Sequence, residues 1–149
     1  MHDLVNSLSF NQVLMPQTIQ AAALDSGNID MQGCDTLAVT LLVGNIVDTL
    51  DGTHRIDVKI EHADDDGTGV PGTYAACADT DVINFANLSS GKFLAIDSST
   101  KEQKRHVIGY TGGKRFVKVT ATPVTLSTGG PIAMLALKGA LHQKPATNT

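Results

Sequence analysis

The cleanest periodicity in this chain lies at 54–62, where Ile56, Val58 and Ile60 alternate with Arg55, Asp57, Lys59 and Glu61. A period of two puts the aliphatic residues on one face of a strand and the charges on the other, so the segment predicts a half-buried strand. The stretch 36–43 reads differently. It is apolar at nearly every position and shows no alternation, which suits a strand covered on both faces. Further strand signals fall at 17–24, 74–78, 82–85, 92–97, 105–110 and 115–121, and an apolar run at 132–137 continues to 141. Turn residues punctuate them, notably Asp25-Ser-Gly-Asn and the aspartate- and glycine-rich loop 63–72. About eight short strands at such spacings predict an all-β fold, an antiparallel β-sandwich of jelly-roll-like form.

Two segments pull toward helix. Both 17–24 and 132–141 are rich in Ala, Leu, Met or Gln, which favour helix by propensity; Gly139 and the short apolar run favour a strand for the second. Residues 1–16 lack a clean period. Leu4, Val5, Leu8, Phe10, Val13 and Leu14 are scattered among Asn, Ser and Gln, and Pro16 disfavours helix at Met15. We read 1–16 as an extended N-terminal arm that lies on another surface, 17–141 as the sandwich domain and 142–149 as a polar tail.

Composition narrows the core. A chain of 149 residues fits one domain and buries about 70% of its unfolded surface. With 42% apolar residues, 4% aromatic and no Trp, that core is built from Val, Leu, Ile and Ala. The sequence has no apolar run of about 18 residues and its N-terminus carries no secretion-signal pattern, so the expectation is a protein made in, and staying in, a soluble compartment. Cys34 and Cys77 are too few and too far apart for a disulfide-stapled scaffold or a zinc motif, and read as two buried thiols.

The net charge of −4 is unevenly distributed: residues 1–100 hold 14 of the 15 acids and three of the 11 basic residues. Either strands from both halves interleave and the charges average out, or an acidic edge of one copy meets a basic edge of another molecule.

Between the signals at 105–110 and 115–121 stands Thr111-Gly112-Gly113-Lys114, whose glycines predict a hairpin turn. This region carries a resemblance. The order Ile-Gly-Tyr-x-Gly-x-Lys-Arg-Phe-Val-Lys-Val, then Gly129-Gly130-Pro131, an apolar strand and His142-x-x-Pro145 is similar to small virion proteins of tailed bacteriophages, in particular the capsid cement, or decoration, class. Upstream, Gly27-Asn-Ile-Asp-Met-Gln-Gly-Cys34 followed by 37–43 and Gly44 resembles the first part of those proteins. The resemblance implies a non-enzymatic structural protein on the outer surface of a phage head, made in the bacterial host cytoplasm, whose partners are the major capsid protein and itself, as a homotrimer. A tail or head–tail connector component is the nearest alternative, and a carbohydrate-binding sandwich a more distant one; six aromatic residues in total offer little for stacking on sugars.

Catalytic and ligand motifs fail on spacing. Gly112-Gly-Lys-Arg115 lacks the first glycine and the Ser or Thr of a phosphate loop. Asp64-Asp-Asp-Gly-Thr-Gly69 lacks the alternating ligands and closing glutamate of a calcium loop. His2, His54, His62, His106 and His142 show no metal spacing, and no nucleophile elbow is present. We therefore expect no enzyme activity, no cofactor and no metal. Six basic residues between Lys101 and Lys118 raise nucleic-acid binding, yet only Tyr110 and Phe116 could stack there and the net charge is negative, which disfavours it. The candidate interface residues are Leu4, Val5, Leu8 and Phe10 on the arm, reaching across a capsid neighbour, and Lys104, Arg105, Lys114 and Arg115, facing acidic surface on a partner.

Overall fold

The structure, a computed structural model, describes residues 3–144 and 146; positions 1, 2, 145 and 147–149 of the arm and tail lie outside the described residues. After one helical turn, α1 (Leu4–Ser7), the chain forms eleven strands: β1 (Ser9–Ile19), β2 (Leu24–Asp25), β3 (Ile29–Asp30), β4 (Cys34–Val43), β5 (Arg55–Ala63), β6 (Ala75–Ala76), β7 (Val82–Ile83), β8 (Lys92–Ile96), β9 (Arg105–Tyr110), β10 (Phe116–Val124) and β11 (Gly130–Leu141). All described pairings are antiparallel.

One sheet has five strands in the order β1-β11-β4-β9-β7. In the other, β10 and β5 form the centre, β2 and β3 share the flank along β10, and β6 and β8 share the flank along β5. Counting β2 with β3 and β6 with β8 as single positions makes eight sandwich strands. The first sheet then runs one, eight, three, six, with β7 added at its edge, and the second runs two, seven, four, five. This is the jelly-roll wrap expected from the strand count.

The core lies between the sheets. Ile56, Val58 and Ile60 of β5 are wholly buried, as are Val117, Val119 and Ala121 of β10, and they meet Leu37, Val39 and Leu41 of β4 and Ile132, Met134 and Ala136 of β11. Burying each large aliphatic side chain contributes about 1.5–3 kcal/mol. Gly129 shows why glycine ends the approach to β11: its φ is +72° and a Cβ there would stand 1.8 Å from the Ile19 carbonyl oxygen.

Three expectations change. The arm is part of the sandwich from Ser9 onward, because β1 pairs along β11 and buries Leu14 and Ile19. Register shifts between Gln12 and Leu14 and between Leu14 and Gln17 break its alternation, and Pro16 is tolerated because β1 is an edge strand. The strand expected at 17–24 is divided: β1 ends at Ile19, and the chain turns before β2.

The hairpin at 105–121 does not form. β9 pairs with β4 and β7, β10 pairs with β5, β2 and β3, and the connection crosses from one sheet to the other. Neither Gly112 nor Gly113 adopts a positive φ. Gly112 is small for another reason: a Cβ there would lie 2.5 Å from the Tyr110 hydroxyl oxygen, which folds back over the crossover and accepts a hydrogen bond from Lys114 N at 3.1 Å.

Candidate functional site: the outer face of the five-stranded sheet

Residues paired across an antiparallel sheet share a face, so the register of the five-stranded sheet can be read as rows. One outward row runs Phe10, Leu137, Ala38, Gly109, Ile83. The next runs Gln12, Leu135, Thr40, Val107, and a third runs Ala133, Leu42, Arg105. Burial agrees, since the inward neighbours Leu37, Val39, Leu41, Ile132, Met134 and Ala136 are buried while these positions are half-buried or exposed. Ile83 lies over Gly109, where a Cβ would meet the Ile83 Cβ at 3.3 Å. Phe10, Leu42 and Ile83 are 36%, 46% and 53% exposed.

At one end Leu8 extends the face. Its side chain covers Gly139, where a Cβ would meet Leu8 Cδ2 at 3.2 Å and Thr36 Oγ1 at 2.7 Å. Beside it stands α1, capped by Asp3, whose Oδ1 accepts from Val5 N at 3.0 Å and Asn6 N at 3.2 Å. The turn presents Leu4 and Val5 with more than 60% of their surface exposed, at 64% and 61%. With strands about 4.8 Å apart and outward residues about 6.7 Å apart along each strand, the apolar rows project over roughly 400 Å². A patch of that size is as large as the largest on a typical monomer and often marks a binding surface. The only charge in these rows is Arg105, at their rim.

Arm residues Leu8 and Phe10 and the basic Arg105 therefore meet on one face, with Leu4 and Val5 next to it. Lys104 is exposed in the approach to β9, its carbonyl accepting from Val43 N at 3.0 Å. The other two basic residues, expected to face partner acids, meet acids of this chain in the structure. Lys114 pairs with Asp64. Arg115 grips Asp30 through Nε and Nη2 at 3.0 and 2.9 Å, pairs with Asp65 through Nη1, and donates to Gln32 Oε1 at 2.8 Å. These acids belong to β3 and to the loop after β5 of this chain, so the charge halves interleave there. The Arg115 hydrogen bond holds the Asp30 carboxyl below its usual range, and Asp30 in turn raises the guanidinium. Lys114 and Arg115 border a cavity of about 370 Å³, together with Met31, Gln32, Cys34 and His142.

Cys34 and Cys77 are both free and buried. The residues of the face that sequence reasoning left out are Leu42, Leu135, Leu137, Val107 and Ile83. The signal for Leu42 was present in the unalternating run 36–43. It called for cover on both faces, and within the chain β4 is covered on one.

No protein-family model matches this chain, and no curated protein matches it. Among solved structures it is similar to the SPBc2 prophage-derived protein YomS, with a TM-score of 0.43 and 14% identity over 88% of this chain and 91% of that one. It is also similar to a protein of the disulfide-linked pili formed by Bacillus endospore appendages, with a TM-score of 0.40 and 13% identity over 93% of this chain and 96% of that one. Neither likeness assigns a role to any residue. No helix among the described residues is long and apolar enough to cross a membrane.

Proposed function

We propose that this protein is a non-enzymatic structural component of a phage virion that docks the outer face of its five-stranded sheet onto the head and cements neighbouring major capsid subunits. The observation that carries the reading is that face: five strands wide, mostly apolar along its rows, and bearing one rim charge. The motif order shared with the decoration class supports the head as the surface it meets. Burial across a subunit boundary stabilises the lattice that displays the site, because whatever binds only one state shifts the equilibrium toward it.

Size argues for more than one contact per particle site. A standard stable interface buries about 800 Å² per partner, roughly twice the projected area of these rows. Three copies joined as a homotrimer at a local three-fold position would each add a face, and linked contacts multiply their strengths without any new chemistry.

The test uses heads stripped of this protein and then offered purified chain. Wild type should restore occupancy, read by densitometry and by imaging of labelled particles. Leu42→Glu and Leu135→Glu should each weaken attachment thirtyfold or more, the scale of an interface hot spot of about 2 kcal/mol, with an unchanged circular dichroism spectrum. Wild-type attachment by both folded variants would overturn the assignment of the face. Label at the tail or neck instead of the head would move the same face to a tail or connector component.

A further inference from the structure

One end of the sandwich gathers three side chains of unlike chemistry. His62 lies inward near the end of β5, Cys77 follows β6, and Asp81 ends the 3₁₀ turn (Asp79–Asp81) that carries the chain from the second sheet to β7 in the first. Imidazole, thiol and carboxylate each offer one ligand atom, and these atoms lie within 4.8 Å of one another. His62 and Cys77 are buried and Asp81 is half-buried.

Each group is held by a second contact. His62 Nδ1 is 3.0 Å from the Tyr110 hydroxyl, and the two rings meet edge-on at 84°. A phenol hydroxyl both donates and accepts, so it serves either imidazole tautomer; with Nδ1 engaged, Nε2 is the nitrogen left to bind. The Asp81 Oδ2 accepts from Ala78 N at 2.8 Å, which leaves Oδ1, and the Asp81 carbonyl accepts from Thr111 N at 2.8 Å. Cys77 N donates to the Ile60 carbonyl at 3.3 Å. An imidazole whose other nitrogen is hydrogen-bonded, beside a carboxylate already oriented, is the outer-shell arrangement that metal ligands require.

We propose that His62, Cys77 and Asp81 form a binding site for a borderline-soft divalent transition metal of the zinc class, which clamps the β6–β7 crossover to β5. Nitrogen, sulfur and oxygen donors suit a tetrahedral ion of this class, with water at the fourth position. As the metal–sulfur bond forms, Cys77 Sγ–H releases its proton to solvent and the ion keeps its oxidation state. The sequence expectation of no metal rested on motif spacing, and positions 62, 77 and 81 match no motif because they converge from one strand and the crossover that follows β6.

The experiment titrates metal-free full-length protein with Co²⁺. The expected result is thiolate-to-cobalt charge-transfer absorption saturating at one equivalent, bleached by one equivalent of Zn²⁺, with a higher melting temperature. Cys77→Ser should abolish the band and Cys34→Ser should leave it intact. Asp81→Asn, whose circular dichroism reports folding independently, should weaken Co²⁺ binding at least tenfold, the lower end for loss of a ligand-supporting contact. Absence of the band in folded wild type, its persistence in Cys77→Ser, or unchanged affinity in folded Asp81→Asn would each overturn the site.

Discussion

The two outer faces of the sandwich are built on opposite plans. On the second sheet, Arg55 and Lys92 flank Asp57, Lys59 pairs with Glu61 at 3.0 Å, and Lys118 sits 4.2 Å from the centre of the Tyr74 ring. Those charges find partners within the chain, so this surface is complete in water. On the first sheet the equivalent positions are mostly Leu, Val, Ala, Phe and Ile, joined by Gln12, Thr40 and Gly109, with Arg105 at the rim and no acid among them. That surface is the one we propose to dock. The contrast separates what the strands do for the fold from what we propose they do for attachment, since both sheets bury inward rows.

The comparison breaks most visibly on β11, where neighbouring residues serve different ends. Ile132→Ala, inward, should lower unfolding free energy by about 2–5 kcal/mol in a chemical denaturation experiment, whereas the outward Leu135→Glu used to test docking should leave stability within about 0.5 kcal/mol. If Leu135→Glu unfolds the domain as Ile132→Ala does, the outer face is core and the contrast fails.

A smaller effect concerns acid. Asp30 is held below its unfolded range by Arg115, so the stability it contributes is present above about pH 4, where an unfolded aspartate is ionised, and is lost as pH falls through its lower folded value. Melting temperature should therefore drop as pH is lowered from about 5 toward 2, and Asp30→Asn should flatten that drop while lowering the melting temperature at pH 7. Identical pH profiles for Asp30→Asn and wild type would remove the Asp30–Arg115 clamp from the account.

The smallest effect tests the charged face itself. Lys59→Ala should cost about 0.2–1 kcal/mol, as exposed pairs do, and should leave attachment to heads unaltered. A loss of attachment comparable to that of Leu42→Glu would show that the charged sheet also docks.

Much of this fold was legible in the residues, and the failures have identifiable causes. Alternation at Arg55–Ala63 located a half-buried strand because one face meets the core and the other meets water. Two bulges erased the same signal in β1, so an edge strand read as an arm. The supposed hairpin failed because neighbouring strands usually pair, and nothing local records that Ile108 and Tyr110 face the core from one sheet while Val117 and Val119 face it from the other. The candidate face was half legible. Apolar runs at 36–43 and 132–137 marked the strands, but only the register aligns Phe10 with Ile83 across five of them.

The place of β11 has a consequence in time. It lies between β1 and β4, yet it emerges from the ribosome after the ten other strands. Until then β1 has no neighbour in its sheet, and the rows from Phe10 to Ile83 have a gap where Leu135 and Leu137 belong. A nascent or truncated chain therefore cannot present the face proposed to dock, which is completed in a single late step, when the strand that closes the sheet also fills its rows.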